Sequence, residues 1–278
     1  MTNEKQTNDV WGRTTEVDGE ALAVMAGRLE NRARHPFFRG AIADYISDLD
    51  LARTYCVLEI GAGTGIVARR LAATVGFRGT ILATDVSAAL LDAGRGFAAG
   101  EGVADRVTFA VGGAAATGLA SGSFDLVIAH TLLSHADDPP GILAEAARVL
   151  RAGGRFLIFD RDFASSALSL EPEVAARIDI ADVARAFAAQ PLIIRQLPKL
   201  LRAAGFTIEK SRSYVVADIG QPDFFAEQLV TWRKLLPVSG VIDKADADRL
   251  MDALNQAAEE GRLFWSNNFY TLIARKDG

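Results

Sequence analysis

A chain of 278 residues, 50% apolar and 23% charged, is long enough for one α/β core carrying insertions and too apolar for intrinsic disorder. Its formal net charge of −5, with no cluster of Lys and Arg, excludes a broad nucleic-acid-binding face. The single cysteine, Cys56, rules out an intramolecular disulfide and reads as a small buried hydrophobe. No uncharged apolar run is long enough to cross a bilayer, and the polar start MTNEKQTNDVWGR lacks the apolar stretch of a secretion signal, so the expected location is cytoplasmic.

Taken in chain order, residues 1–18 read as a flexible tail and 19–50 as an N-terminal helical cap, with helices near 19–33 and 37–49 separated by Pro36. Strands and helices then alternate. VLEI (57–60) is a short buried strand, GAGTG (61–65) a loop and IVARRLAATV (66–75) a helix. TILATD (80–85) is the second strand, and a helix over 87–102 follows with Ser87 as its N-cap. VTFAV (107–111), FDLVIAH (124–130) and RFLIFD (155–160) are further strands, with PGILAEAARVL (140–150) a helix before the last of these. Short apolar strands alternating with helices predict a parallel sheet covered on both faces. Beyond Asp160 the pattern predicts helical inserts at about 163–195 and 222–262. LPKLLRAAGF (197–206), strand 207–217 and strand 268–276 lie around the second of them. Residues 51–278 thus read as one catalytic domain.

VLEIGAGTG sets Gly61, Gly63 and Gly65 between an apolar strand and a helix. Glycine permits the tight turn and lets backbone approach a ligand without a Cβ in the way, while the helix behind offers unpaired N–H groups. The dinucleotide fingerprint G-x-G-x-x-G would require glycine at 66, which is Ile66. Glu59 stands two residues before the first glycine, where a carboxylate is costly unless it bonds amides or faces a cation. Asp85 ends the second strand, a position from which a carboxylate accepts hydrogen bonds from ribose hydroxyls.

Together VLEIGAGTG, TILATDVS, SFDLVIAHTLLSHADDP and EAARVLRAGGRFLIFD resemble the class I methyltransferases that use S-adenosyl-L-methionine (SAM). Within that class they are similar to the ubiquinone/menaquinone-biosynthesis type and to natural-product enzymes. The resemblance covers about residues 55–162 and reappears in LPKLLRAAGF. It implies a Rossmann-like, mostly parallel seven-stranded sheet, helices on both faces, with the last strand antiparallel. Position by position it implies that Glu59, Gly61, Ala62, Gly63 and Gly65 hold the loop and the methionine end of SAM. Asp85 would bind the ribose and Val86 would pack on the adenine. Gly113 and Ala114 would lie at the adenine edge, and Ala129, His130 and Thr131 would line the methyl-transfer position. The family pattern after the third strand is Gly-Asp-Ala, whose acid bonds the adenine amino group, whereas this chain reads Gly112-Gly113-Ala114. The missing contact is worth about 1–2 kcal/mol.

An in-line methyl transfer needs alignment, exclusion of water and, for an O or N nucleophile, a base. His130 and His135 flank the end of the fourth strand, where ligands collect in open parallel sheets, and are the candidate catalytic residues; in the family the latter supports its loop. His35 reads as a cap contact. Asp160 and Asp162 alternate with Arg161 without the further acid and Asn of a Mg-dependent catechol site, so no metal is expected. No G-x-S-x-G elbow supports a hydrolase. Phe37, Phe38, Phe224, Phe225, Trp232, Phe264, Trp265, Phe269 and Tyr270 suit an aromatic-rich cap over a hydrophobic or planar small-molecule acceptor, methylated on O or C. Arg28, Arg32 and Arg34 either meet a carboxylate or an anionic substrate or simply lie on an exposed helix face. Three other readings stay open. They are SAM-bound chemistry without methyl transfer (a cyclase, decarboxylase or hydroxylase), an NAD(P)-dependent oxidoreductase, and a non-catalytic binder. A homodimer also stays open.

Overall fold

The computed structural model describes residues 19–278, and the expected tail at 1–18 lies outside them. Seven strands form one sheet in the order β3-β2-β1-β4-β5-β7-β6. They are β1 (Cys56–Ile60), β2 (Thr80–Asp85), β3 (Val107–Val111), β4 (Phe124–His130), β5 (Leu150–Leu168), β6 (Phe206–Gly220) and β7 (Leu263–Lys276). The first five run parallel, and β7 lies antiparallel between β5 and β6. The chain enters at β1, builds outward to β3, then crosses back to place β4 on the other side of β1. That reversal opens a crevice at the strands' carboxyl ends.

Strand alternation sorts the apolar side chains between two layers. Val57, Ile128, Leu157 and Phe159 pack on the side of α3 (Ile66–Ala72) and α4 (Ala88–Gly100). Leu58, Val127, Ala129, Phe156 and Ile158 pack on the side of α5 (Pro139–Val149) and α8 (Ile193–Ala203). The turns are built locally: Ser87 accepts from the Leu90 amide at the head of α4, Asp138 caps α5, and Gly205 (φ +80°) follows α8.

Two helices precede the sheet, α1 (Gly19–Arg34) and α2 (Pro36–Ser47). Phe38, Ala41, Ile42, Tyr45 and Ile46 recur at helical spacing on α2 and are all buried. Between β5 and α8 lie only α6 (Pro172–Ala175) and α7 (Ile180–Phe187). Between β6 and β7 stand α9 (Ala226–Val238) and α10 (Lys244–Glu259).

The structure moves several boundaries of the sequence reading, among them the start of β5, at Leu150 rather than 155, and the end of β6, at Gly220 rather than 217. Helix α3 stops at Ala72 rather than 75, and β7 starts at Leu263 rather than 268. Residues 163–168, expected to be helical, continue β5 and pair with β7 through Ala167–Ser266 and Leu168–Trp265. Their Ala and Ser content favours no strand, so a partner distant in sequence decides the conformation. A register shift between Asp162 and Ala167 is bridged by Ser165, whose hydroxyl donates to the Asp162 carbonyl (2.7 Å) and accepts from the Asn268 amide (2.9 Å). Among the described residues no helix is long and apolar enough to cross a membrane.

Candidate active site

Gly61, Gly63 and Gly65 all have positive φ (62°, 56° and 70°), so the loop could not take this path with ordinary residues. Helix α3 begins directly behind Gly65, which has no side chain to cap it. Glu59 replaces the missing cap: its Oε2 accepts from the Ala68 amide at 2.8 Å. Burial, with the carboxylate 2% exposed, pushes its pKa up to about 8. Asp85 closes the loop from the neighbouring strand, accepting from the Gly63 amide (2.8 Å) and the Ser87 amide (2.9 Å). Burial raises its pKa as well. Each carboxylate oxygen retains acceptor capacity beyond these bonds.

A cavity of about 440 Å³ lies over these groups, within the usual size of a small-molecule site. It runs across four neighbouring strand ends, from Gly113 and Ala114 after β3, past Asp85 and Val86, over Glu59 and Gly61–Gly63, to His130 after β4. Three strand spacings make that span roughly 14 Å. Helices α1 and α2 contribute Leu29, Arg32, Phe38 and Ile42. Glu30 fastens α1 to the loop, accepting from the Thr64 hydroxyl (2.7 Å) and pairing with buried Arg69 (2.5 Å).

Two residues expected at the ligand stand away from it. Gly65 is not part of the cavity wall; a Cβ there would come within 2.5 Å of the Phe109 ring, so the glycine serves close packing of the loop on β3. Ala129 is 1% exposed and packs on the α5–α8 side, because alternation along β4 turns it away. At Gly113 an added Cβ would meet nothing nearer than the Ala116 carbonyl at 4.0 Å, so no steric conflict excludes a side chain there.

His130 lies flat on Phe159, with ring centroids 4.7 Å apart and 9° between planes. Its Nδ1 is 3.1 Å from the Tyr45 hydroxyl. Burial, with Arg32 and Arg70 nearby, depresses its pKa well below the ordinary value, so the ring is neutral at pH 7. If Nδ1–H donates to the tyrosine oxygen, the other nitrogen keeps a lone pair; if the hydroxyl donates, that nitrogen carries the proton. Only the first tautomer can act as a base there. Tyr45 was not singled out in the sequence, although its place on the buried stripe of α2 was legible.

Thr131, immediately after β4, has φ +51°, the only positive value outside glycine among the described residues. For a β-branched residue this costs about 1–3 kcal/mol. It is held by its amide, which donates to the Phe159 carbonyl (2.6 Å), and by Arg32 Nη2 donating to its hydroxyl (2.8 Å). His135 closes the 3-10 turn Leu133–His135 and meets Phe163 edge-on at 5.7 Å. His35 caps α2, its Nδ1 accepting from the Phe37 amide at 3.2 Å.

The aromatic residues divide into two groups. Phe38, Phe224 and Phe269 surround a smaller chamber adjoining the cavity, whereas inside the cap Phe225 stacks on Trp265, which Trp232 meets edge-on while stacking on Phe187. Phe225 and Trp265 lie parallel at 4.5 Å, and the indole fills core rather than facing a ligand. Asp160 is held by the Ser134 amide and hydroxyl, and Asp162 by Arg195. Among the described residues no group of three or more His, Cys, Asp or Glu is placed to hold a metal ion.

The glycine loop, Glu59, Asp85 and His130 fall within a segment that matches a known family. Residues 58–158 match the methyltransferase domain family. Over that segment the chain is similar to methyltransferase domains, and its fold is Rossmann-like. The ubiquinone/menaquinone biosynthesis C-methyltransferase UbiE of Hahella chejuensis is 34% identical over 104 residues, covering 37% of this chain and 42% of that protein. The methyltransferase GfsG of Streptomyces halstedii is 37% identical over 112 residues, 40% of each chain. The chain thus spans about two fifths of the curated relatives it matches. A solved methyltransferase-like structure from Bacillus halodurans shares the fold, with a TM-score of 0.61 and 20% identity over 85% of this chain and 99% of that one.

Proposed function

We propose that this protein binds SAM in the cavity over β3-β2-β1-β4 and transfers its methyl group to a small, hydrophobic or aromatic acceptor at carbon or oxygen. The observation that carries the reading is the single cavity joining the glycine loop, Glu59 and Asp85 to the His130–Tyr45 pair. Its residues fit the ligand chemically: backbone open at Gly61 and Gly63, carboxylates for an ammonium and a ribose, and Val86 for an adenine face. Bound SAM would supply an electrophilic methyl on a sulfonium, whose neutral leaving group asks little acid catalysis of the protein.

What this chain's residues do follows from their placement. Asp85 and the Gly63 amide fix the loop before a ligand arrives, so little ordering entropy is spent on binding. Glu59 offers negative charge where a cation would lie, and Arg32 offers positive charge at the junction of cavity and chamber. His130 sits beside the end of β4 as the group able to take an acceptor proton, with Tyr45 setting its tautomer. Leu29, Phe38 and Ile42 exclude water from above.

The test is calorimetric titration of ligand-stripped protein with SAM and with S-adenosylhomocysteine, followed by a mass-spectrometric acceptor screen. Micromolar binding of both, with a product 14 Da heavier than its acceptor, is the expected result. Absence of binding overturns the cofactor assignment; binding with no methyl transfer to any acceptor favours SAM-bound chemistry of another kind.

A further inference from the structure

Beyond the end of β4 the cavity continues into a chamber of about 50 Å³, space for a few waters or one small functional group. Its walls bring together Arg32 from α1, Arg161 from β5, Gln228 from α9, and the rings of Phe38, Phe163 and Phe269. Neither guanidinium has a carboxylate within ion-pair distance among the described residues. Arg161 is held by neutral oxygens alone: its Nε donates to Asn267 Oδ1 (2.8 Å) and its Nη2 to Ser166 Oγ (3.4 Å). Asn267 is fully buried and braced in turn, its amide donating to the Ser166 hydroxyl at 2.6 Å. Arg32 donates to the Thr131 hydroxyl (2.8 Å) and lies over Phe38, with Cζ 4.6 Å from the ring centroid. Arg161 lies 4.5 Å from Phe163 in the same manner.

One acid, Asp160, shares the chamber wall and raises the pKa of both guanidiniums, as Asp162 does for Arg161 and Glu227 for Arg32, but none of the three comes within ion-pair distance of either. Asp160 spends its oxygens on the Ser134 amide, the Ser134 hydroxyl and the Arg161 amide. Burial lowers the pKa of Arg161 to about 9 and that of Arg32 to about 10, and Arg32 further lowers that of Arg161. Two desolvated like charges are thus set close together with donors unspent and no carboxylate in ion-pair contact, a cost that the surrounding acids offset only in part and that a bound anion would relieve further. Gln228 adds an independent mark: its Oε1 is buried without a hydrogen-bond partner among the described residues. Rotated about its amide, the same group presents two N–H donors to the chamber.

We propose that this chamber is an anion-binding subsite, in which Arg161 and Arg32, assisted by Gln228, grip a carboxylate or phosphate group of the methyl acceptor. The inference rests on the methyl-transfer reading for the word acceptor, though not for the anion. Arginine suits the task because its planar fork binds planar or tetrahedral oxyanions at two points. The rings of Phe38, Phe163 and Phe269 flatten the entrance and favour an aryl or unsaturated body behind the charged group. The acceptor's reacting atom would then fall on the His130 side of Thr131, and the anchor on the Arg161 side.

The experiment uses the full chain and matched probes that differ in charge: benzoate against benzamide, 4-hydroxybenzoate against 4-hydroxybenzamide, and phenyl phosphate against phenol. Each is titrated calorimetrically with and without saturating S-adenosylhomocysteine. At least one anion should bind at least tenfold more tightly than its neutral partner, and the carboxylate and phosphate arms identify the preferred group. In Arg161→Met, whose side chain keeps the packing between the rings, that preference should vanish while S-adenosylhomocysteine affinity stays within twofold. Equal binding of charged and neutral partners, no binding of any anion, or a preference surviving in Arg161→Met overturns the proposal. Should the variant fold poorly, the wild type still decides, since the preferred anion must raise its melting temperature more than the neutral partner does. Failure of S-adenosylhomocysteine to bind while anion selectivity persists would sink the cofactor assignment and leave this subsite standing.

Discussion

The two ends of the site are made of different material. Over β3-β2-β1-β4 the cavity wall is largely backbone: Gly61 and Gly63 with positive φ, the Gly63 amide fixed by Asp85, and an α3 terminus capped by Glu59. Over β4-β5-β7 it is side chain: Arg32, Arg161, Phe38, Phe163 and Phe269, gathered from α1, α2, β5 and β7. Thr131, in its left-handed conformation, is the boundary. A surface built from backbone fixes one ligand geometry and tolerates few changes, whereas one built from side chains on separate elements can be altered residue by residue. On the proposed reading, the difference teaches that cofactor and acceptor recognition are separable in this chain although they share one opening.

Four measurements break or sharpen that division. The largest expected effect is on turnover. His130→Gln should lower kcat about 100-fold with the acceptor found by screening, in the usual range for a lost general base, while S-adenosylhomocysteine affinity holds within twofold. Equal losses in both would place His130 in cofactor binding instead. Asp85→Ala should weaken S-adenosylhomocysteine binding at least tenfold, as expected for about 1.5–3 kcal/mol per hydrogen bond to a charged group. Circular dichroism should report a folded variant. Unchanged affinity would mean that the ribose lies elsewhere.

Gly113→Asp restores the acid that the family pattern carries, and its Cβ meets nothing nearer than the Ala116 carbonyl at 4.0 Å. It should tighten S-adenosylhomocysteine binding about fivefold to thirtyfold, the equivalent of roughly 1–2 kcal/mol. Weaker binding would show that the adenine edge is read differently here. The smallest effect is a proton. Glu59 with a pKa of about 8 is mostly protonated at pH 7, and a cationic ligand favours its ionised form. SAM binding at pH 7 should therefore release up to one proton, seen as a buffer-dependent binding enthalpy, and affinity should rise with pH until about 8. Because the folded pKa lies above the unfolded one, ionisation of Glu59 costs the ligand-free fold stability as pH rises from about 4.5 to 8. Glu59→Gln should abolish both dependences, and a proton release that persists in it would assign the titration to another group.

The same division governs what could be read in the sequence. β1 to β4 and the glycine loop were legible because each is specified within a few residues, by an apolar run, a glycine or an end-of-strand acid. The roles of Gly65 and Ala129 were not. One depends on Phe109 from β3 and the other on the facing direction at the end of β4, and neither is local information. The extension of β5 through Leu168 was invisible for a stronger reason: its partners Trp265 and Ser266 lie about a hundred residues away. Arg161 was visible only as a charge between two acids. Its isolation from them is a product of the bulge, Asn267 and Ser166.

The long ladder between β6 and β7 carries one further consequence. Gly220 pairs with Leu263, so the segment holding α9 and α10 leaves the sheet and returns to it at adjacent points. Its ends are joined by strand pairing before its own sequence matters, and doubling such a segment's length costs only about 0.6 kcal/mol in closure entropy. The segment is therefore a place where length can change at little entropic cost, provided the core contacts of Phe225, Trp232 and Leu250 are kept. Changes there would alter Phe224 and Gln228, on the proposed acceptor side, and make no direct contact with Glu59 or Asp85. One sheet can in this way acquire new acceptors through insertions in a single hairpin, without relearning how to hold its cofactor.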